Sequence, residues 1–154
     1  MDFDLDEPHR LLRDTVRSFA ETEIAPVAAN LDEREEFSVE LTRKMGELGM
    51  FGIVVPEEYG GQGLGYLAYV VATEELARVD GSQAATVTAG NSLGIGPIYY
   101  FGTEEQRHRY LPTLCSGDGL WAFGLTEAGA GSDSRASSTR AVETADGWRL
   151  NGSK

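Results

Sequence analysis

The stretch WAFGLTEAGAGSDSR, Trp121 to Arg135, decides how the chain is read. A short apolar run gives way to Thr126 and Glu127, then to Gly129 and Gly131 among small residues, then to Ser132 and Asp133. A dinucleotide fingerprint would need a helix to open straight after the glycines, inside a βαβ unit. The following SDSRASSTRAVETADGW shows no helical apolar stripe and runs into a hairpin signal. A Walker A loop is excluded because no Gly-Lys-Ser/Thr closes the stretch. Two readings remain on these residues alone. One is a plain glycine-rich surface loop. The other is a strand-to-strand loop in which Gly129 and Gly131 let amide N–H groups converge on an anion, with Thr126 and Ser132 as hydroxyl donors.

Upstream, the pattern is helical. Asp6 is a candidate N-cap with Glu7 and Pro8 in the first turn. Leu12, Val16, Phe19 or Ala20, and Ile24 follow at helical spacing, and Pro26 is expected to end or kink the segment. Ser38 is set to cap a helix with an apolar face of Leu41, Met45 and Leu48, stopped by Gly49. MFGIVVPEEYGGQGLG is too glycine-rich for a helix and reads as a loop. Helices are expected from about Tyr66 to Arg78 and again from about Ser82. In NSLGIGPIYYFG, Asn91 or Ser92 is a candidate cap, Pro97 sits early and Gly102 ends the helix. Thr103 and Gln106 form a capping box for the helix carrying Tyr110 and Leu111.

After SGDG the pattern changes. LWAFGLT has strand character. Asp146-Gly147, between SSTRAVET and WRL, is a hairpin signal, and Asn151-Gly152 is a second one. The second has no further strand before Lys154, so the sequence reads as cut inside a β domain. The expected fold is mainly α: an antiparallel helical bundle over residues 1–117, then the first strands of a truncated β-barrel domain over residues 118–154.

With 25 acidic and 13 basic side chains the formal charge is −12, and no basic stripe interrupts it. Such a chain repels nucleic acid and anionic membrane. No apolar run is long enough to span a bilayer, and the acidic MDFDLDEPHR is the reverse of a targeting segment. The single Cys115 makes no internal disulfide and gives no metal-ligand spacing, which points to a reducing cytoplasm. It reads as a small residue near a helix end. His9 and His108, set among charged residues, are expected to be solvated.

AFGLTEAGAGSD, followed by a hairpin and LNGSK, resembles the flavin-contacting region of the acyl-CoA dehydrogenase family. VPEEYGGQGLG, GNSLGIGPI and YFGTEEQRHRYLPTLCSG agree in order and spacing, so the resemblance runs from about Asp4 to Lys154. It implies a helical N-terminal domain and the opening of a middle β domain, with FAD as cofactor. Phe123, Leu125 and Thr126 match positions near the flavin ring, the Thr126 hydroxyl reaching the O4/N5 edge. Gly131 and Ser132 match contacts to the FAD pyrophosphate, and Ser132 also matches a contact to the CoA part of the substrate. Ala89 and Leu93 match the floor of the acyl pocket. The family's usual proline after Thr-Glu is Ala128 here, which leaves the loop freer.

The resemblance implies oxidation of acyl-CoA to trans-2-enoyl-CoA, by α-proton abstraction and β-hydride transfer to FAD. It also implies an electron-transfer flavoprotein as electron acceptor and a homo-oligomer, tetramer or dimer. The family's base, a glutamate of the C-terminal domain, has no counterpart here. No catalytic residue is therefore expected in this chain, and Glu127 and Asp133 read as loop hydrogen-bonding groups. A non-catalytic binding module or complex subunit, an acyl-CoA oxidase and a flavin monooxygenase of the same fold are the alternatives.

Overall fold

The structure, a computed structural model, describes residues 4–154; the first three residues of the acidic N-terminal stretch lie outside the described residues. The chain forms two compact units, one running to Trp121 and one from Ala122 to Lys154.

The helical unit begins with α1, Glu7–Phe19, whose N-cap is Asp6 accepting from the His9 amide. A helix start leaves its first amides without intrahelical acceptors, and the Asp6 carboxylate supplies one. Pro26 does not end the segment. A wide π turn over Ala20–Ile24 absorbs the register change and α2, Ala25–Glu33, continues with the proline in its first turn, where no amide is required. Ser38 caps α3, Val39–Glu47, accepting from the Leu41 amide. Leu41 and Met45 are buried, but Leu48 lies past the helix end and is 46 % exposed, so the apolar face is shorter than the periodicity suggests.

The glycine-rich segment after α3 is a loop with one 3-10 turn, Glu57–Tyr59. It is also core: Met50, Phe51, Ile53, Val55 and Tyr59 are all buried. The helices α4, Gly65–Ala77, and α5, Gly81–Ala89, follow, the latter capped by Asp80. Glu75 on α4 is buried and accepts from Arg17 at 2.9 and 2.7 Å and from Arg78 at 3.1 Å. Arg17 and then Arg78 hold its carboxyl below the usual range, so the charge is paired rather than stranded. This bidentate contact pins α1 against α4.

Asn91 and Ser92 do not cap a new helix. The helical path runs on from α5 through a second π segment, Gly90–Ile95, into α6, Gly96–Phe101. Gly102 closes α6, and α7, Glu104–Cys115, opens with the expected Thr103–Gln106 capping box. Cys115 is buried at the end of α7, and burial pushes its thiol up to about 11. His9 is not solvated as expected but largely covered and bonded to Asp6; His108 is exposed, as expected, with its ring beside Tyr59 and its Nε2 3.2 Å from Glu104.

In the second unit, β1, Arg140–Thr144, pairs antiparallel with β2, Gly147–Asn151, in the register Val142↔Arg149. The two turn residues are Ala145 and Asp146, one position earlier than the Asp-Gly signal implied; Gly147 closes the ladder at φ +135°, a region open to glycine. LWAFGLT forms no strand. A ladder needs a neighbour, and the run from Leu120 to Thr126 has none among the described residues; the isolated bridge Glu127–Ala130 follows it. The observed fold is mainly α with one antiparallel strand pair.

Candidate flavin and acyl sites

Asn91 organises the interior of the helical unit. Its side chain donates to the Met50 carbonyl at 2.8 Å and the Val87 carbonyl at 2.9 Å, and accepts from the Ile53 amide at 3.1 Å. The buried 50–53 loop is thereby tied to the helix that carries Ala89. Between them lies a largely apolar cavity of about 340 Å³, lined among others by Phe37, Phe51, Thr86, Ala89, Gly90 and Trp121. Gly90 lets Phe51 approach: an added Cβ would meet the Phe51 ring at 2.7 Å. Ala89 is on the cavity wall. Leu93 is not; it is 47 % exposed. Leu120 and Trp121 belong with this unit, Trp121 packing edge-on to Tyr110 at 5.8 Å.

In the second unit the glycine stretch is a tight turn closed by reciprocal backbone bonds, Glu127 N–H to Ala130 O at 3.0 Å and Ala130 N–H to Glu127 O at 3.1 Å. Neither Gly129 nor Gly131 takes a positive φ, and an added Cβ at either would meet nothing within 4 Å. What the glycines leave is open backbone. The Glu127 carboxylate accepts from the Ser138 amide and hydroxyl, both at 2.7 Å, and from the Thr139 amide at 3.0 Å. Hydrogen bonds from Thr139 and Ser138 hold its carboxyl down to about 2. Asp133 accepts from the Arg135 amide and caps the 3-10 turn Ser134–Ala136. Both acids are therefore loop hydrogen-bonding groups, and Glu127 is locked in its ionised form.

The donors on this loop are spare. Among the described residues, no partner accepts from the Thr126 or Ser132 hydroxyl, or from the Gly129, Gly131 or Ser132 amide. Beside them Phe123 and Leu125 are half exposed, at 49 % and 46 %. Apolar faces next to unpaired donors suit a ligand with a flat ring and an anionic tail. The residues present fit FAD on this count. Sequence reasoning missed Asn91 as an organiser, and it gave Glu127 as a loop hydrogen-bonding group without its partners Ser138 and Thr139, just before β1. Nothing local marks these contacts, because Met50, Ile53, Ser138 and Thr139 lie well away along the chain.

A profile of the acyl-CoA dehydrogenase N-terminal domain matches residues 6–118. The probable acyl-CoA dehydrogenase YngJ of Bacillus subtilis is 45 % identical over 154 residues, which is all of this chain and 40 % of that protein. The mitochondrial short-chain specific acyl-CoA dehydrogenase of Rattus norvegicus is 45 % identical over 151 residues, 98 % of this chain and 37 % of its own length. Among solved structures, a chain described as electron transferring flavoprotein of Acidaminococcus fermentans superposes with a TM-score of 0.94 at 45 % identity, over 99 % of this chain and 40 % of that one. An acyl-CoA dehydrogenase complexed with FAD from Bacillus anthracis superposes with a TM-score of 0.89 at 40 % identity, over 97 % of this chain and 26 % of that one. The chain thus spans about two fifths of the length of the curated relatives it matches. FAD is the cofactor that these relationships support. On the domain profile over residues 6–118, the chain belongs to the acyl-CoA dehydrogenase family.

Proposed function

We propose that this chain is the N-terminal part of a flavin-dependent acyl-CoA dehydrogenase that oxidises acyl-CoA thioesters to trans-2-enoyl-CoA. In this reading the helical domain is followed from about residue 118 by the opening of a β domain. The observation that carries the reading is the set of unpaired donors at Thr126, Gly129, Gly131 and Ser132 beside the exposed Phe123 and Leu125. FAD supplies the acceptor for the β-hydride. Thr126 would donate its hydroxyl to the O4/N5 edge of the ring, where negative charge develops as the hydride arrives. Gly131 and Ser132 would hold the pyrophosphate with amide and hydroxyl donors, and Ser132 would also touch the CoA moiety. Glu127 is a positioning residue: by clamping Ser138 and Thr139 it ties the segment leading into β1 to the backbone next to Thr126. With three hydrogen bonds on its oxygens and its carboxyl held down to about 2, it is a poor base for the α-proton.

The cavity beside Ala89 would take the acyl chain; Leu93, the other residue the resemblance assigns to the acyl floor, does not line it. The naming of the rat relative as short-chain specific supports a short acyl group, for which 340 Å³ is ample. Electrons would leave through an electron-transfer flavoprotein, a reading supported by the Acidaminococcus chain. The working protein would be a homo-oligomer in the cytoplasm, the buried reduced thiol of Cys115 suiting a reducing compartment. No helix among the described residues is long and apolar enough to cross a membrane.

Thr126→Ala in the full-length protein tests the proposal. Stopped-flow reduction at saturating acyl-CoA should slow by about ten- to a hundredfold while acyl-CoA affinity changes little, since the donor acts chiefly in the transition state. An unchanged reduction rate with full FAD content rejects the assignment.

A further inference from the structure

We propose that the aromatic cavity between α4 and α6 is a binding site for a quaternary ammonium group. The cavity holds about 250 Å³ and shares only Ile95 with the one beside Ala89. Its wall carries Tyr66 and Tyr69 from α4 and Tyr99, Tyr100 and Phe101 from α6. The Tyr66 and Tyr69 rings stand nearly edge-to-face at 6.5 Å, Tyr99 and Tyr100 lie 4.8 Å apart, and Tyr100 and Phe101 6.4 Å.

The hydrogen-bonding groups of the wall are largely engaged with one another. The Tyr66 and Tyr100 hydroxyls share a hydrogen bond. The Tyr69 and Ser92 hydroxyls both donate to the Thr88 carbonyl, and the Asn91 amide is committed to Met50, Val87 and Ile53. Among the lining tyrosine and serine hydroxyls only that of Tyr99 makes no hydrogen bond, so a primary ammonium or a carboxylate entering this space would lose water and find too few partners to replace it. What the wall offers chiefly is ring faces, whose negative quadrupole attracts a cation. A quaternary ammonium has no N–H to satisfy and presents methyl groups to the rings, so it gains both dispersion and cation–π attraction there.

Charge favours the same ligand. No residue lining the cavity is charged, and the chain carries −12 overall, which draws cations towards it. Arg107, which donates to the Tyr99 carbonyl, has its own charge paired with Glu104. The bond from Tyr66 pushes Tyr100 up to about 12, so the Tyr100 hydroxyl stays neutral at physiological pH. Tyr66, Tyr100 and Phe101 are exposed, which leaves the mouth open to solution.

The test titrates the full-length protein with choline and with its uncharged isostere, 3,3-dimethylbutan-1-ol, by isothermal calorimetry. Choline should bind about tenfold tighter. Tyr100→Phe, which keeps the ring face, should retain that preference, and Tyr100→Leu should lose it with circular dichroism unchanged. Phe101→Leu, at a residue 89 % exposed, serves as the second ring deletion should Tyr100→Leu not fold. Equal affinity for the two ligands, no saturable choline binding, or a preference that survives the ring deletion would overturn the proposal.

Discussion

Replacing Asn91 by alanine should cost the helical unit more than any other single polar truncation in its interior. The side chain is 3 % exposed and makes three hydrogen bonds, two as donor and one as acceptor. Its removal strands the Ile53 amide and the Met50 carbonyl, both in residues 1 % exposed. An unpaired buried backbone group costs about 1–3 kcal/mol, so two of them sum to about 2–6 kcal/mol, and the void left by the amide adds to it. Against a typical domain stability of about 5–15 kcal/mol that is a large share. Urea denaturation followed by circular dichroism reads it as a fall in midpoint with an unchanged slope. Ser92→Ala is the internal control, since its exposed hydroxyl makes one bond to the Thr88 carbonyl. Ser92→Ala should cost about 1 kcal/mol or less. A loss below about 1 kcal/mol for Asn91→Ala would refute the idea that this amide ties the 50–53 loop to the helix.

Ala89→Phe should fill the cavity wall and move preference towards shorter thioesters. Each excluded methylene is worth about 0.8 kcal/mol, or roughly fourfold in kcat/KM. An unchanged ranking across a series of straight-chain acyl-CoA substrates would make Ala89 plain helix packing. Glu127 gives a pH signature. Hydrogen bonds from Thr139 and Ser138 hold its carboxyl down to about 2, below the ordinary 4.5, so the clamp is intact above about 4.5 and weakens as pH falls towards 2. The protection factors of the Ser138 and Thr139 amides, taken against the intrinsic exchange rate at each pH, should fall over that window in the native protein. In Glu127→Gln they should be low at every pH; protection independent of both pH and substitution would refute the clamp.

Elements marked by local chemistry were legible in the sequence. Asp6, Ser38 and Thr103 cap the helices expected of them because a cap is decided by three or four adjacent residues. The Arg140–Asn151 hairpin follows for the same reason, with a turn one residue off its signal. The π segments were not legible. Ala20–Ile24 and Gly90–Ile95 let Pro26 and Pro97 sit inside longer helical runs, and tertiary packing rather than local propensity selects that geometry. LWAFGLT carries strand propensity with no ladder partner, so the propensity goes unexpressed. At the site, the glycine turn and its hydroxyls could be read from the chain. Glu127 reaching eleven and twelve residues ahead to Ser138 and Thr139 could not, because no local pattern pairs residues at that separation.

The most direct test of the central claim is an anaerobic titration of the full-length protein, isolated with its FAD, with butyryl-CoA. The account predicts that the oxidised flavin absorbance bleaches as substrate is added, and that trans-2-enoyl thioester appears in step with the bleaching. A flavin that stays oxidised in the presence of saturating straight-chain acyl-CoA of every length, at full FAD occupancy, would contradict it.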